Sequence, residues 1–433
     1  SLGLLIVPFV AILALFAIPV TLLACVSPFA VRLALRDVAK SGGTIGWFTA
    51  VSTLGSFLGT FLPNLVLIPN LGTRRTFLLL AGMAAITGLA GLWQVARRRF
   101  WTLIWIPVVT IWLFVQPQPT IKPAAIQPGA TLPNTTVVHE TESIYNFIQV
   151  LEDRFGRRYL LLNEGQGIHS VYTPPEHYRD QGDPQALLTG GPWDYYLIAP
   201  YFNPPPYRPD HLGRVLVIGL AAGTTPTQLT EIYGPLTIDG VEIDADVISI
   251  GREWFGMTMP NLNVHVADGR SYLLQTEQPY DLVAVDAYRL PYIPWHLTTQ
   301  EFFEAVRDHL TPQGVVAINV GHTPSAAGAS DAGDWRLVDA MVNTMQQVFT
   351  DVHTIAVPGS FNAIVVATAR PSSSENLAAN AAHLADPRLQ LLADRALANL
   401  REPRPSPHVF TDDLAPVEQM THAVALRYLL GLE

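Results

Sequence analysis

Four long apolar stretches near the start of the chain restrict its fold more than any other feature. They are Leu2–Cys25, Trp47–Ile68, Thr76–Val95 and Phe100–Val115, the last being the shortest. A helix needs roughly 20 apolar residues to cross a bilayer. None of the four carries an Asp, Glu, Lys, Arg or His in its middle, so an ion or substrate pathway lacks the groups it needs. The first is too long for a cleaved signal peptide, and three more come after it. These segments therefore read as a multi-pass anchor whose first partner is the lipid bilayer. In the second, "GSFLG" sets Gly55 and Gly59 on one helix face beside Ser52 and Ser56. Small residues at that spacing let helices approach closely, in a membrane-protein partner or a homo-oligomer.

Basic residues flank the spans. Arg32, Arg36 and Lys40 follow the first, and Arg97, Arg98 and Arg99 follow the third. The positive-inside rule puts both loops in the cytoplasm. With four crossings the remainder of the chain lies outside the cell. If Phe100–Val115 does not cross, it lies in the cytoplasm, where nucleoside co-substrates are found.

The hydrophobic fraction of 49% in 433 residues is concentrated before Val115, and the rest of the chain is ordinary globular sequence. The net charge of -10 comes from that second part, which argues against a nucleic-acid partner. Cys25 is the one cysteine, so neither an internal disulfide nor a cysteine metal site is available, and no metal site is expected. The expected organisation is a transmembrane helical domain at 1–116, a proline-rich linker at 117–134, a small antiparallel β domain at 135–201, a nucleoside-binding domain at 202–375 and a helical tail at 376–433.

From Arg214 strands and helices alternate. Strands are expected at Val215–Ile218, Thr237–Ile243, Asn263–Val266, Leu282–Asp286, Val315–Val320, His353–Val357 and Ala363–Ala367, with helices over Thr225–Ile232, Ala245–Trp254 and Thr299–His309. The fold class is α/β, a parallel doubly wound sheet with ligands outside the carboxyl ends of its strands. "RVLVIGLAAGTTPTQL" (214–229) gives a tight turn at Gly219 and Gly223, with Ala221 and Ala222 between them, opening a helix whose free N–H groups face a ligand. Glu242 closes the second strand, where a carboxylate accepts ribose hydroxyls. Asp244 reads as the cap of the next helix. Asp268 follows the third strand and can accept from an adenine amino group. Asp281 starts the fourth strand at the far end, while Asp286 ends it on the ligand side.

These motifs together resemble the spermidine synthases, aminopropyltransferases of the class I methyltransferase (Rossmann-like) fold. "ESIYNFIQVLED" (142–153) resembles that family's N-terminal β domain, and "FTDDLAPVE" (410–418) is similar to membrane-fused synthase-like proteins. The resemblance implies S-adenosylmethionine or its decarboxylated form as co-substrate against Gly219 and Gly223, with Glu242 on the ribose and Asp268 at the adenine. It implies Asp286 as the acid that positions an amine acceptor and takes its proton. The second acid of that family's pair is replaced by Arg289, a fixed positive charge that repels a diamine. The glycine-loop aspartate corresponds to Ala222, the family's Tyr-His pair to Tyr195–Tyr196, and its Tyr-Gln pair to Tyr145–Asn146. His296 lies in the loop that gates such sites, as a candidate second catalytic residue beside Asp286. Asp412 and Asp413 read as caps of the tail. A membrane-anchored transferase is the expectation, and an inactive synthase-like scaffold in a membrane assembly is the alternative.

Overall fold

A computed structural model of the chain describes residues 2–34, 41–116, 134–163, 167–179, 182–288, 292–323, 333–402 and 404–430. It separates into two compact units, Ser1–Thr120 and Ile121–Glu433.

The first unit is helical: α1 (Leu2–Ala34), α2 (Ser41–Leu62), α3 (Ile68–Val95), α4 (Arg97–Leu103) and α5 (Trp105–Val115). Four stretches are long and apolar enough to cross a membrane: Phe9–Ala34, Gly42–Leu67, Asn70–Val95 and Arg97–Val115. Polar side chains within them bond back one turn, Thr53 to the Thr49 carbonyl, Thr60 to Ser56 and Asn64 to Thr60. An apolar helix thus meets a donor of each within its own backbone. A short π-helical stretch, Pro63–Leu67, joins α2 to α3, and Gly72 at φ 76° breaks the start of α3. The fourth stretch is divided at Ile104 into α4 and α5. Arg74 donates to the Leu113 carbonyl at 3.2 Å, a cation against the C-terminal dipole of α5. Apolar side chains cover the outside, with Trp47 70% exposed and Leu65 71%. The face of Gly55 and Gly59 is open: a Cβ at either meets nothing within 4 Å, so no other helix of this chain packs closely there among the described residues.

In the second unit, β1 (Thr135–Glu142), β2 (Phe147–Asp153), β3 (Arg158–Leu162) and β4 (Ile168–Tyr172) form an antiparallel meander. After the short helix α6 (Trp193–Tyr196) comes an eight-stranded sheet in the order β12-β10-β11-β9-β8-β5-β6-β7. Its parallel part is β5 (Arg214–Ile218), β6 (Thr237–Glu242), β7 (Leu262–Val266), β8 (Tyr280–Val285) and β9 (Leu310–Gly321). These strands read as continuous apolar runs because both faces are covered. Val215, Val217, Leu282 and Ala284 enter one core layer, and Leu216, Ile218, Val283 and Val285 the other.

The sheet is mixed rather than wholly parallel. β10 (Val352–Ala356) and β11 (Asn362–Thr368) pair antiparallel, β11 runs antiparallel to β9, and β12 (Leu400–Arg401) is antiparallel to β10. The link between β10 and β11 turns at Gly359 and is too short for a parallel crossover, so only a hairpin can form. Helices α7 (Thr224–Tyr233), α8 (Ala245–Trp254), α9 (Gly269–Leu273), α10 (Gln300–Asp308) and α11 (Arg336–Met345) fill the connections. Beyond the sheet lie α12 (Ser374–Ala381), α13 (Pro387–Ala398) and α14 (Val417–Leu430).

Candidate functional site

The carboxyl ends of β5, β6, β7 and β8 bring the glycine loop, Glu242, Asp268 and Asp286 to one edge of the sheet. Gly219 sits at φ +85°, and a Cβ there would lie 2.5 Å from the Asp286 carbonyl oxygen. Only glycine lets β5 turn this close to the end of β8. Gly223, at φ +96°, starts α7 in the same left-handed region. Between them Ala221 also takes a positive φ, 47°. The loop is fastened from outside: Ala222 N–H donates to Ser170 Oγ at 3.0 Å, and the Thr224 hydroxyl exchanges bonds with both backbone groups of Val171. The β meander thus forms one wall of the loop.

Glu242 Oε2 accepts the Ala221 N–H at 2.9 Å and Oε1 accepts the Asp244 N–H at 3.1 Å. Burial pushes its carboxyl up, and those amides pull it partly back. The Ile243 amide adds a third donor, and a carboxylate with about four acceptor positions still has room for a hydroxyl. The next residue, Ile243, is 43% exposed, an apolar surface at the rim where a flat base can lie. Asp244 caps α8 through the Asp246 N–H, as the sequence implied. It also accepts from Ser143 Oγ at 2.5 Å and Asn146 Nδ2 at 2.8 Å, tying the β1–β2 turn to the main sheet. Asn146 is therefore occupied in fastening the two sheets together, while Tyr145 is exposed.

Asp268 accepts the Ser271 N–H at the start of α9 and faces His296 Nε2 at 2.8 Å. Burial opposes its ionisation, yet the bonds from Ser271 and His296 prevail and hold it below its ordinary value. His296 was expected beside Asp286. Its hydrogen bond goes instead to Asp268, and no bond to Asp286 is made among the described residues. Asp412 likewise does not cap the tail. It grips Arg270 with both oxygens at 2.7 Å and accepts from Thr299 at 2.8 Å, and Arg270 in turn holds the His296 carbonyl. The tail thereby fixes the loop that carries His296.

Asp286 is the most perturbed acid of the edge. Burial pushes its carboxyl up to about 7, against hydrogen bonds from Asn319 and Trp193. Asn319 Nδ2 donates to Oδ1 at 2.8 Å. Tyr196 is fully buried and gives its hydroxyl to the Val285 carbonyl at 2.9 Å. Burial and the neighbouring Asp286 keep that phenol neutral. Arg289 lies outside the described residues. Asp281, at the opposite end of β8, accepts the Gly213 and Arg214 N–H groups and the Thr311 hydroxyl, a structural role. The groups not found from sequence are Trp193, Asn319 and Arg270. An amide inside the apolar run "VVAINV" was the available signal for Asn319, because a buried amide needs partners.

Residues 205–358 match the spermine/spermidine synthase domain family. This stretch is a spermine/spermidine synthase domain. The chain containing it is 30% identical over 308 residues to a probable polyamine aminopropyl transferase of Bifidobacterium longum, covering 67% of this chain and 64% of that one. It is 25% identical over 252 residues to the human eEF1A lysine and N-terminal methyltransferase, covering 55% of this chain and 31% of the relative. The chain thus spans just under two thirds of the first relative's length and under one third of the second's. A probable spermidine synthase from Corynebacterium glutamicum aligns in structure with a TM-score of 0.45 at 19% identity, over 64% of this chain and 99% of that one. The synthase domain accordingly has relatives named for aminopropyl transfer and for methyl transfer. Both are alkyl transfers.

Proposed function

We propose that the chain is a membrane-anchored transferase. It moves an alkyl group from the sulfonium of S-adenosylmethionine, or of its decarboxylated form, to an acceptor other than an ordinary diamine. One observation carries this reading: Asp286, an acid poised near neutrality, stands against the Gly219 turn at the edge that also holds Glu242 and Asp268. A general base works best when its pKa lies near the operating pH. The acceptor heteroatom attacks the carbon beside sulfur and forms the new bond. The carbon–sulfur bond breaks, its electron pair returns to sulfur to leave a neutral thioether, and the acceptor's proton passes to Asp286. Glu242 takes the ribose hydroxyls, Asp268 the adenine amino group, and Ile243 the face of the base. The arginine at 289, three positions after Asp286, supports the choice of acceptor. The exposed apolar surface of the first unit supports the anchor, since soluble chains rarely leave so much uncovered.

The test is calorimetric titration of the detergent-solubilised full chain with S-adenosylmethionine, its decarboxylated form and methylthioadenosine. Binding of at least one, weakened about tenfold or more in Glu242→Ala, is the expected result. Heat from none of the three overturns the transferase and leaves the scaffold reading, which the alanines at 221 and 222 favour. Sidedness is read by labelling intact cells with an impermeant thiol reagent, using a single cysteine at Gln127 in a Cys25→Ser background. Labelling places the domain outside and counts against the transferase.

A further inference from the structure

A line of side-chain hydrogen bonds leaves Asp286 and crosses two neighbouring strands. Asn319 on β9 donates Nδ2 to Asp286 Oδ1 at 2.8 Å. Asn362, the first residue of β11, donates Nδ2 to Asn319 Oδ1 at 2.9 Å. Ser360, in the turn before β11, donates its hydroxyl to Asn362 Oδ1 at 2.7 Å. The strand register explains the middle link. Ile364 lies opposite Asn319 and Asn362 opposite Gly321, so the two asparagines are diagonal neighbours on one face.

The direction of the line is set by the chemistry of its ends. An ionised carboxylate only accepts, so Asn319 must offer its NH2 and turn its oxygen away. That oxygen needs a donor, which Asn362 provides, and the oxygen of Asn362 in turn needs the Ser360 hydroxyl. Neither amide can turn over without breaking bonds on both of its sides. An Asn319 that did turn over would present oxygen to Asp286 and favour the protonated acid.

The other groups facing Asp286 are Trp193 and Tyr196 from α6 and Tyr288 from the segment after β8. Both phenols give their hydrogens to carbonyls, Tyr196 to Val285 and Tyr288 to Asn319. Trp193 donates to the Asp286 carboxyl as well, and Oδ1 takes the Asn319 amide.

We infer that Asn319, Asn362 and Ser360 are positioning residues that hold Asp286 Oδ1 as a standing acceptor and leave Oδ2 to receive the proton of the acceptor substrate. This builds on the transferase reading, in which Asp286 is the base. The relay explains how a single acid can serve there: one oxygen is fixed by the fold, and the other is kept for the reaction.

The test is a pH titration by infrared spectroscopy of the full chain in detergent, with Asp286→Asn identifying the Asp286 carboxyl band by difference. In Asn319→Leu the midpoint of that band is expected to rise by about one pH unit or more, a tenfold gain in proton affinity. Asn362→Leu and Ser360→Ala should shift it the same way by less, at least about twofold. An unmoved midpoint in Asn319→Leu overturns the proposal. So does a shift in Asn319→Leu alone, because the line then ends at its first member. Ser360 sits in a turn, so its variant reports on the relay even where a strand variant fails to fold. The measurement uses no substrate, so its failure leaves the transferase proposal standing. Conversely, a chain that binds no nucleoside can still display the relay.

Discussion

Replacing Asp286 with asparagine should make the protein more stable at neutral pH, by an amount the structure sets. The side chains are nearly equal in size, and an amide oxygen can still accept from Asn319 Nδ2. What disappears is the charge. A carboxyl moved from 3.8 to about 7 is harder to ionise in the folded chain than in the unfolded one, by up to about 4 kcal/mol. The raised value decides the sign. Below about pH 4 the group is protonated in both states and contributes no difference. Between about pH 4 and 7 the unfolded chain releases the proton while the folded chain retains it, so stability falls as pH rises. Above about pH 7 both states are ionised and the full difference is lost. Thermal unfolding of the wild type and Asp286→Asn, measured side by side across this range, isolates the effect because every other titrating group cancels. At roughly 2–4 °C per kcal/mol, the variant should gain up to about 10 °C at pH 8 and almost nothing at pH 4. A difference that is flat with pH, or that favours the wild type at pH 8, refutes the argument that Asp286 is held inside the fold against its charge. A stabilising substitution at a functional acid is also the pattern expected of a site where stability has been given up for chemistry.

Four further outcomes can be checked with the same preparations. Gly219→Ala and Gly223→Ala share the strain of a left-handed backbone, about 1–2 kcal/mol each. However, a Cβ at 219 meets the Asp286 backbone at 2.5 Å, while at 223 it meets the flexible Met257 side chain at 2.7 Å. Gly219→Ala should therefore melt lower and lose nucleoside binding in calorimetry, and Gly223→Ala should do so less. Asp339→Ala breaks the buried pair with Arg401, 2.7 Å apart beside Trp335, and should cost about 3 kcal/mol in unfolding experiments. Arg307→Ala, which opens an exposed pair with Asp308, should leave the melting temperature unchanged. Asp412→Ala frees Arg270 and the loop of His296, and should weaken nucleoside binding severalfold while barely moving the melting temperature.

The strands of the synthase domain were legible because burial on both faces makes each an apolar run, and turn residues mark where each run stops. The acids of the site were legible for a related reason. A charged group directly after an apolar run stands at a strand end, and the alternation of strands and helices fixes which end faces the ligand. Asp281 and Asp286 were separated on that basis, and the structure gives them their different roles at opposite ends of β8. The antiparallel part of the sheet could have been read as well. Only a short connection divides the expected strands at 353–357 and 363–367, and that excludes a parallel crossover.

Side-chain pairing was a different matter, because distance along the chain carries no information about it. His296 was placed by resemblance beside Asp286, whereas three contacts draw it toward the end of β7: its bond to Asp268, the Arg270 bond to its carbonyl, and the Asp412 grip on Arg270. The last depends on a residue more than a hundred positions away. Asn319 and Asn362 were hidden for the opposite reason. Asn319 lies inside a strand otherwise so apolar that it reads as an interruption of the core, and Asn362 opens its strand, where an amide reads as part of the preceding turn. A buried amide that makes no bond is costly, and one that makes two bonds is directional. A polar residue kept in such a strand therefore marks a geometry that the apolar residues around it cannot supply, and here both asparagines lead to Asp286.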